Sequence, residues 1–247
     1  MTNHVFGWKP GLQDQRDYKF SSIRTVVEIP KSVDLRKKCS SVEDQGNIGS
    51  CTANAAVGLL EYLDAVPDNK YVNLSRLFLY YNTRLLEGSQ GYDSGCTIRD
   101  TMKALNKYGI CPESRWPYNT AKFKVKPSAT SYKDALRRVV NGYYRIRSLG
   151  ELKAALAQGK PVVFGFTVYE GFDSEEVAHT GVAEMPGPNE AVLGGHAVLA
   201  VGYDDNNDGG RLIVRNSWGA EWGQKGYFTM PYAFVTTGIA SDFWTVA

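Results

Sequence analysis

The chain has 247 residues, enough to bury a full core as one large domain or two small ones. Apolar residues make up 43% and charged residues 22%, an ordinary globular balance. With 28 Lys and Arg against 26 Asp and Glu, the formal charge is +2, which gives no basis for a nucleic-acid partner. No apolar run approaches the roughly 20 residues of a membrane helix, so no membrane partner is expected. The opening "MTNHVFGWKPGLQDQRDYKF" has no apolar signal-peptide core, which favours a cytoplasmic protein or export by a non-classical route.

Residues 1–28 mix Gly, Pro, aromatics and charge without a period and read as an extension. Gly7, Pro10 and Gly11 disfavour a helix there, while Val5, Phe6, Trp8, Tyr18 and Phe20 supply apolar anchors. Such a segment binds best extended, laid along a groove. It then either covers a site or completes the fold as a permanent strap. "CTANAAVGLLEYL", from Cys51, is apolar nearly all round and predicts a buried helix. "LSRLFLYYNTRLLEG" predicts an amphipathic helix opening near Ser75 and stopping at Gly88. "TIRDTMKALNKYG" predicts a helix with Gly109 as C-cap. "YKDALRRVV" and "LGELKAALAQGK" predict two more, the second ending at Gly159.

After Lys160 the texture changes to short β-branched or aromatic runs: "PVVFGFTV", "GHAVLAVGY", "RLIVRNSW", "GYFTM" and "ASDFWTV". Helices first and strands second predict an α+β chain, two lobes with a cleft between them. "DDNNDGG" (204–210) starts like a calcium loop. Arg215 stands where its twelfth-position Glu is needed, so a hairpin turn is expected. No Cys/His group has zinc spacing, so no metal is expected, and nothing calls for a cofactor.

The four cysteines are Cys39, Cys51, Cys96 and Cys111. The helix predicted between Cys96 and Cys111 holds them roughly 16 Å apart, too far for a disulfide. Cys51 differs from the others. It follows a Gly-bearing loop, "EDQGNIGS", and opens a helix, where a thiol is readily ionised. A nucleophile also needs a base, a group orienting that base, and oxyanion donors. Of the three histidines, His4 lies in the extension and His179 in an acidic loop. His196 opens a strand with Gly194 and Gly195 beside it and fits a base best. Taken alone, a strand histidine is more often structural. Asn216 ends the strand "RLIVR" and could orient an imidazole, with Trp218 shielding the pair from water. Gln45, six residues before Cys51, could donate to an oxyanion; alone it reads as a turn residue.

Together, "DQGNIGSC", "GGHAVLAVGY" and "NSWGAEWGQKGYF", in that order, resemble the papain family of cysteine peptidases. The resemblance runs from about residue 29 to 247. It implies a papain-like fold with a helical left lobe, an antiparallel β-barrel-like right lobe and the active site in the cleft. It implies Cys51 as nucleophile, His196 as general acid/base in a thiolate–imidazolium pair, Asn216 as its orienter, and Gln45 with the Cys51 N–H as oxyanion hole. The substrate-binding positions it implies are Gly95, Cys96, Gly195 and, at the floor of the selectivity pocket, Ser241 or Asp242. Expected partners are a peptide or protein substrate and protein inhibitors, with the chain a monomer.

His196 lies 145 residues after Cys51, within the family spacing of roughly 130–150. Asn216 lies 165 after, an excess that the "DDNNDGG" hairpin accounts for. Two residues depart from the family pattern. Ile48 replaces a cysteine, so a familiar disulfide is missing, and Thr52 replaces an aromatic. The competing readings are other acyl chemistry on the same fold, such as ligation or deamidation, and a binding or inhibitory module without turnover. The presence of all four site residues argues against the last.

Overall fold

The computed structural model describes residues 4–23, 28–65, 70–207 and 209–247. Three residues at the start of the predicted extension, four near its end, residues 66–69, and one residue in the "DDNNDGG" turn lie outside them. Four helices build one lobe: α1 (Cys51–Asp64), α2 (Arg76–Leu86), α3 (Ile98–Tyr108) and α4 (Ala129–Ala135). Their starts follow capping chemistry. Ser75 accepts from Phe78 N, Thr97 from Asp100 N and Ser128 from Ser131 N, each satisfying a donor the helix leaves orphaned. α1 has no polar face because it is buried between its neighbours and the sheet. The fourth helix starts three residues earlier than "YKDALRRVV" and leaves Arg137 and Arg138 outside it.

The second lobe is a sheet of β1 (Ser32–Asp34), β2 (Tyr143–Ile146), β3 (Val162–Tyr169), β4 (Val192–Asp204), β5 (Arg211–Arg215), β6 (Tyr227–Pro231) and β7 (Ala240–Val246). All pairings between these strands are antiparallel, in the order β2-β7-β3-β4-β5-β6, with β1 added against the end of β4. The expected barrel-like lobe is therefore an open sheet. β2 and β6 lie at opposite ends, where Lys19 bridges to Arg145 and Val182 to Thr229, while α5 (Leu149–Ala157) packs on β3 and β4, α7 (Ala233–Thr236) on β7, and α6 (Glu175–Thr180) precedes the Val182 bridge. Alternation divides its faces. Val163, Ala197, Leu199 and Val201 join the core shared with α1, α2 and α3. Phe164, Phe166, Val198 and Ala200 join a second, aromatic core. His179, read as a loop residue, lies in α6, which Ser174 caps by accepting from Val177 N.

The N-terminal segment crosses both lobes. Phe20 is fully buried in the aromatic core, and Tyr18 O accepts from Arg145 N at 2.7 Å on β2. Asp17 pairs with Arg99 of α3 and, at 3.2 Å, with Arg145. Upstream, residues 4–11 lie in the cleft between the lobes. Gly7 is required there, because a Cβ on it would stand 2.0 Å from Gly49 O. Among the described residues no helix is long and apolar enough to cross a membrane, and no group of acidic, His and Cys side chains could hold a metal.

Candidate active site

Cys51 is the first residue of α1, so the unpaired N–H groups and the positive dipole end of a 14-residue helix face its sulfur. Backbone N–H groups of Ala197, Gly7, Thr52 and Cys51 itself reach it. Ala197 follows His196 on β4, so the sheet brings the histidine to the helix end. All four cysteines are unpaired.

His196 Nε2 lies 2.8 Å from Asn216 Oδ1. That oxygen also accepts from Ser217 N at 2.8 Å, which fixes which end of the amide is the carbonyl. Nε2 is therefore the donor, and in the neutral ring Nδ1 keeps the lone pair. Nδ1 is buried and makes no hydrogen bond, a base left free to take a proton. Trp218 stacks on the imidazole with centroids 4.7 Å apart, and Phe166 and Phe6 present edges to it. These walls keep water off the His196–Asn216 bond.

Gln45 is buried and fully committed. Its Oε1 accepts from Ser217 Oγ at 2.7 Å, and its Nε2 donates to Ile48 O at 3.1 Å and Val5 O at 2.9 Å. The last bond joins the proposed oxyanion donor to a carbonyl of the N-terminal segment. That segment also pairs with the expected substrate-binding backbone. Cys96 N donates to Gly7 O at 2.7 Å, Lys9 N to Cys96 O at 3.0 Å, and Trp8 N to Gly195 O at 2.9 Å. His4 stacks on the outer face of Trp218 at 3.8 Å and bonds Asp173 at 2.7 Å. Cys51 and His196 are both 0% exposed.

Covering the cleft changes the charges expected there. Burial pushes the Cys51 thiol up to about 11, against the pull of its backbone donors. Burial likewise lowers His196 to about 4, against the pull of Asn216. The covered site thus favours neutral thiol and neutral imidazole, and Cys51 and His196 share no hydrogen bond among the described residues. Burial thus works against charge on both partners of the thiolate–imidazolium pair expected from the sequence while residues 4–11 lie in the cleft.

Asp242 lies on β7 at a left-handed φ of 59° and is buried. Its carboxylate accepts from Trp244 Nε1 at 2.8 Å and Gly11 N at 3.3 Å, with Arg145 at 3.4 Å. Burial raises its pKa against these donors. Ser241 pairs across the strands with Gly165. Sequence reasoning missed Asp93, Tyr80 and Asp173, whose partners Gly49, Gly95 and His4 lie far away in the chain. The sequence carried no signal for them.

A family model described as papain family cysteine protease matches residues 29–246. An uncharacterized peptidase C1-like protein of Acanthamoeba polyphaga mimivirus is 42% identical over 232 residues, covering 90% of this chain and 74% of the relative. Pro-cathepsin H of Mus musculus is 28% identical over 96% of this chain and 71% of its own length. Xylellain, a cysteine protease from Xylella fastidiosa, superposes with a TM-score of 0.86 at 38% identity, covering 98% of this chain and 95% of that one. With the Cys–His–Asn geometry already on a two-lobed α+β fold, the match over nearly the whole chain has one reading: this protein belongs to the papain family of cysteine proteases.

Proposed function

We propose that the chain is a peptide hydrolase working through a Cys51 thioester, held latent by its own residues 4–11. The observation that carries the reading is the His196–Asn216 bond, with its free Nδ1, beside a thiol at a helix N-terminus. In the uncovered cleft, Nδ1 takes the proton from Sγ, and the thiolate attacks the scissile carbonyl carbon. The carbonyl oxygen becomes an oxyanion, received by Gln45 Nε2 and the Cys51 N–H. As the tetrahedral adduct collapses, His196 protonates the leaving amine, and a thioester remains. His196 then deprotonates a water that attacks the thioester. A second oxyanion forms, the acid leaves, and Sγ regains its proton.

The bond from Gln45 to Val5 O supports the oxyanion role, because a carbonyl already sits where the donor points. Gln45→Ala is expected to lower kcat by on the order of 10²–10³, the worth of one oxyanion donor. Asn216→Ala is expected to lower kcat more than it raises KM, since it loosens the base and not the substrate. Steady-state kinetics on a peptide amide tests both, and wild-type rates in the two variants would remove these roles. Mass spectrometry of a digested peptide library separates hydrolysis from ligation or deamidation.

Trp8 supports a side-chain pocket in the same cleft. Its indole lies where any Cβ on Gly165 would stand, 2.0 Å from Trp8 Cε2. Asp242 borders this region through Gly11. The pocket is read as taking large apolar side chains, with Asp242 also admitting basic ones. Asp242→Ala is therefore expected to lower the arginine-to-leucine ratio at the second residue before the scissile bond about tenfold, one charge contact's worth. An unchanged ratio takes Asp242 out of the pocket.

A further inference from the structure

Asp93 lies outside the Cys–His–Asn group, yet three parts of the site meet at its carboxylate. Gly49 N donates to both oxygens, at 3.1 Å to Oδ1 and 3.0 Å to Oδ2. The Tyr80 hydroxyl donates to Oδ1, and burial together with that bond holds the phenol well above its ordinary pKa, so it stays a donor. Tyr80 in turn accepts from Gly95 N at 3.2 Å. The loop carrying Asp93 is itself fastened, because the fully buried Arg84 donates to Tyr92 O at 2.8 Å and Gln90 O at 3.2 Å.

The Gly49 N–H belongs to the same peptide group as the Ile48 carbonyl. That carbonyl accepts from Gln45 Nε2 at 3.1 Å. One peptide plane is thus gripped from both sides, by Asp93 on its N–H and by Gln45 on its C=O. A peptide preceding glycine turns over more readily than others, since glycine accepts backbone angles that a Cβ forbids. If this one turned, Gln45 would face an N–H where it now finds a carbonyl, and its amide would lose the bond that aims its second hydrogen into the cleft. Ile48 also stands where the family pattern has a cysteine, so no disulfide fixes this loop.

We infer that Asp93 is a positioning residue for the oxyanion hole: by holding the Ile48–Gly49 peptide it aims the Gln45 amide and joins the nucleophile loop to the Gly95 strip. The inference rests on Gln45 being the oxyanion donor. A charged acceptor suits this task, because charge-assisted hydrogen bonds are about twice as strong as neutral ones.

The test uses the full chain and two readouts. The first needs no turnover. Side-chain amide protons of Gln45, assigned by their loss in Gln45→Glu, are followed by NMR hydrogen exchange. In Asp93→Ala they are expected to exchange at least about tenfold faster than in wild type, with Asp93→Asn between, because one neutral acceptor remains. The second is kinetic. Asp93→Ala is expected to lower kcat on a peptide amide by on the order of 10², approaching the loss of the donor itself, with KM little changed. Alkylation of Cys51 by iodoacetamide, which needs no oxyanion hole, is expected to be no slower than in wild type, since a looser Gln45 amide also weakens the bond to Val5 that helps cover the cleft. Unchanged Gln45 exchange overturns the inference. So does alkylation falling in step with kcat, which would make Asp93 general scaffolding. A wild-type chain with no turnover defeats the peptidase reading alone and leaves the exchange result to decide on Asp93.

Discussion

Removal of residues 1–11 is expected to raise kcat/KM on a small peptide by on the order of 10²-fold. The segment makes four backbone or amide hydrogen bonds to the cleft, at Gln45, Gly195 and twice at Cys96, and buries Trp8. At about 1 kcal/mol net per bond and about 2 for the indole, less the cost of ordering the segment, roughly 3 kcal/mol opposes a substrate, which is about two decades. Removal of residues 1–28 is a different experiment. It also extracts Phe20 from the aromatic core and unpairs Arg99 and Arg145 from Asp17. A cavity of that size costs about 3–5 kcal/mol, so this variant should melt well below the first. Measured side by side, kcat/KM and melting temperature separate the two halves of the segment. Equal rates in wild type and in the protein lacking residues 1–11 would end the latency reading.

Cys51→Ala is expected to abolish hydrolysis, by about 10⁴-fold or more, since no other group can form the thioester. Cys39→Ala, Cys96→Ala and Cys111→Ala should each leave most of it. Loss of activity in any folded one of those three would mean the nucleophile is misassigned. The pH dependence of the covered chain follows from the same pair. His196 is lowered in the fold, so its contribution to stability is present above about 6.5 and is lost as pH falls through about 4. Cys51 is raised, so its contribution is present below the ordinary thiol value and is lost as pH rises through about 11. Melting temperature should therefore be level near neutrality, as far as this pair governs it, and fall on both sides. Uncovering differs from unfolding. When Sγ hands its proton to Nδ1, nothing is exchanged with solvent, so the covered–open balance should also be level near neutral pH. Cys51 alkylation, measured in wild type and in the protein lacking residues 1–11, reads that balance as the ratio of the two rates.

Much of the fold was legible because local chemistry and tertiary demand agree. α1 is apolar nearly all round and is buried over twelve of its fourteen residues; α2 and α3 open at Ser75 and Thr97, which cap them. The five late strands carry alternating or fully apolar runs that match the two faces of the sheet. β2 was not legible, because "YYRI" is short and its place is set by pairing with β7. α6 was hidden because "EEVAHT" is six residues with one buried side chain, Val177. The core of the candidate site was legible because Cys51, Gln45, His196 and Asn216 each stand in a dense local motif. Asp93 was not, because "GYDSGC" reads as a turn whatever the aspartate holds. The full burial of Cys51 and His196 was not legible either, since it depends on where residues 4–11 lie.

The N-terminal segment is fixed at two places, in the cleft and at Tyr18–Phe20 on β2, with Leu12 between them 88% exposed. On the proposed latency, the inhibitor and its target are one molecule. A tether of so few residues holds the blocking stretch at an effective concentration on the order of millimolar, whatever the protein concentration in solution. Dilution cannot relieve such a block, and a micromolar substrate competes poorly with it. A cut in the exposed span after Leu12 turns the same stretch into a free peptide that dilution removes. Latency of this kind, as proposed, makes activation a single covalent event: before it, inhibition is intramolecular and insensitive to concentration; after it, bimolecular and quickly lost.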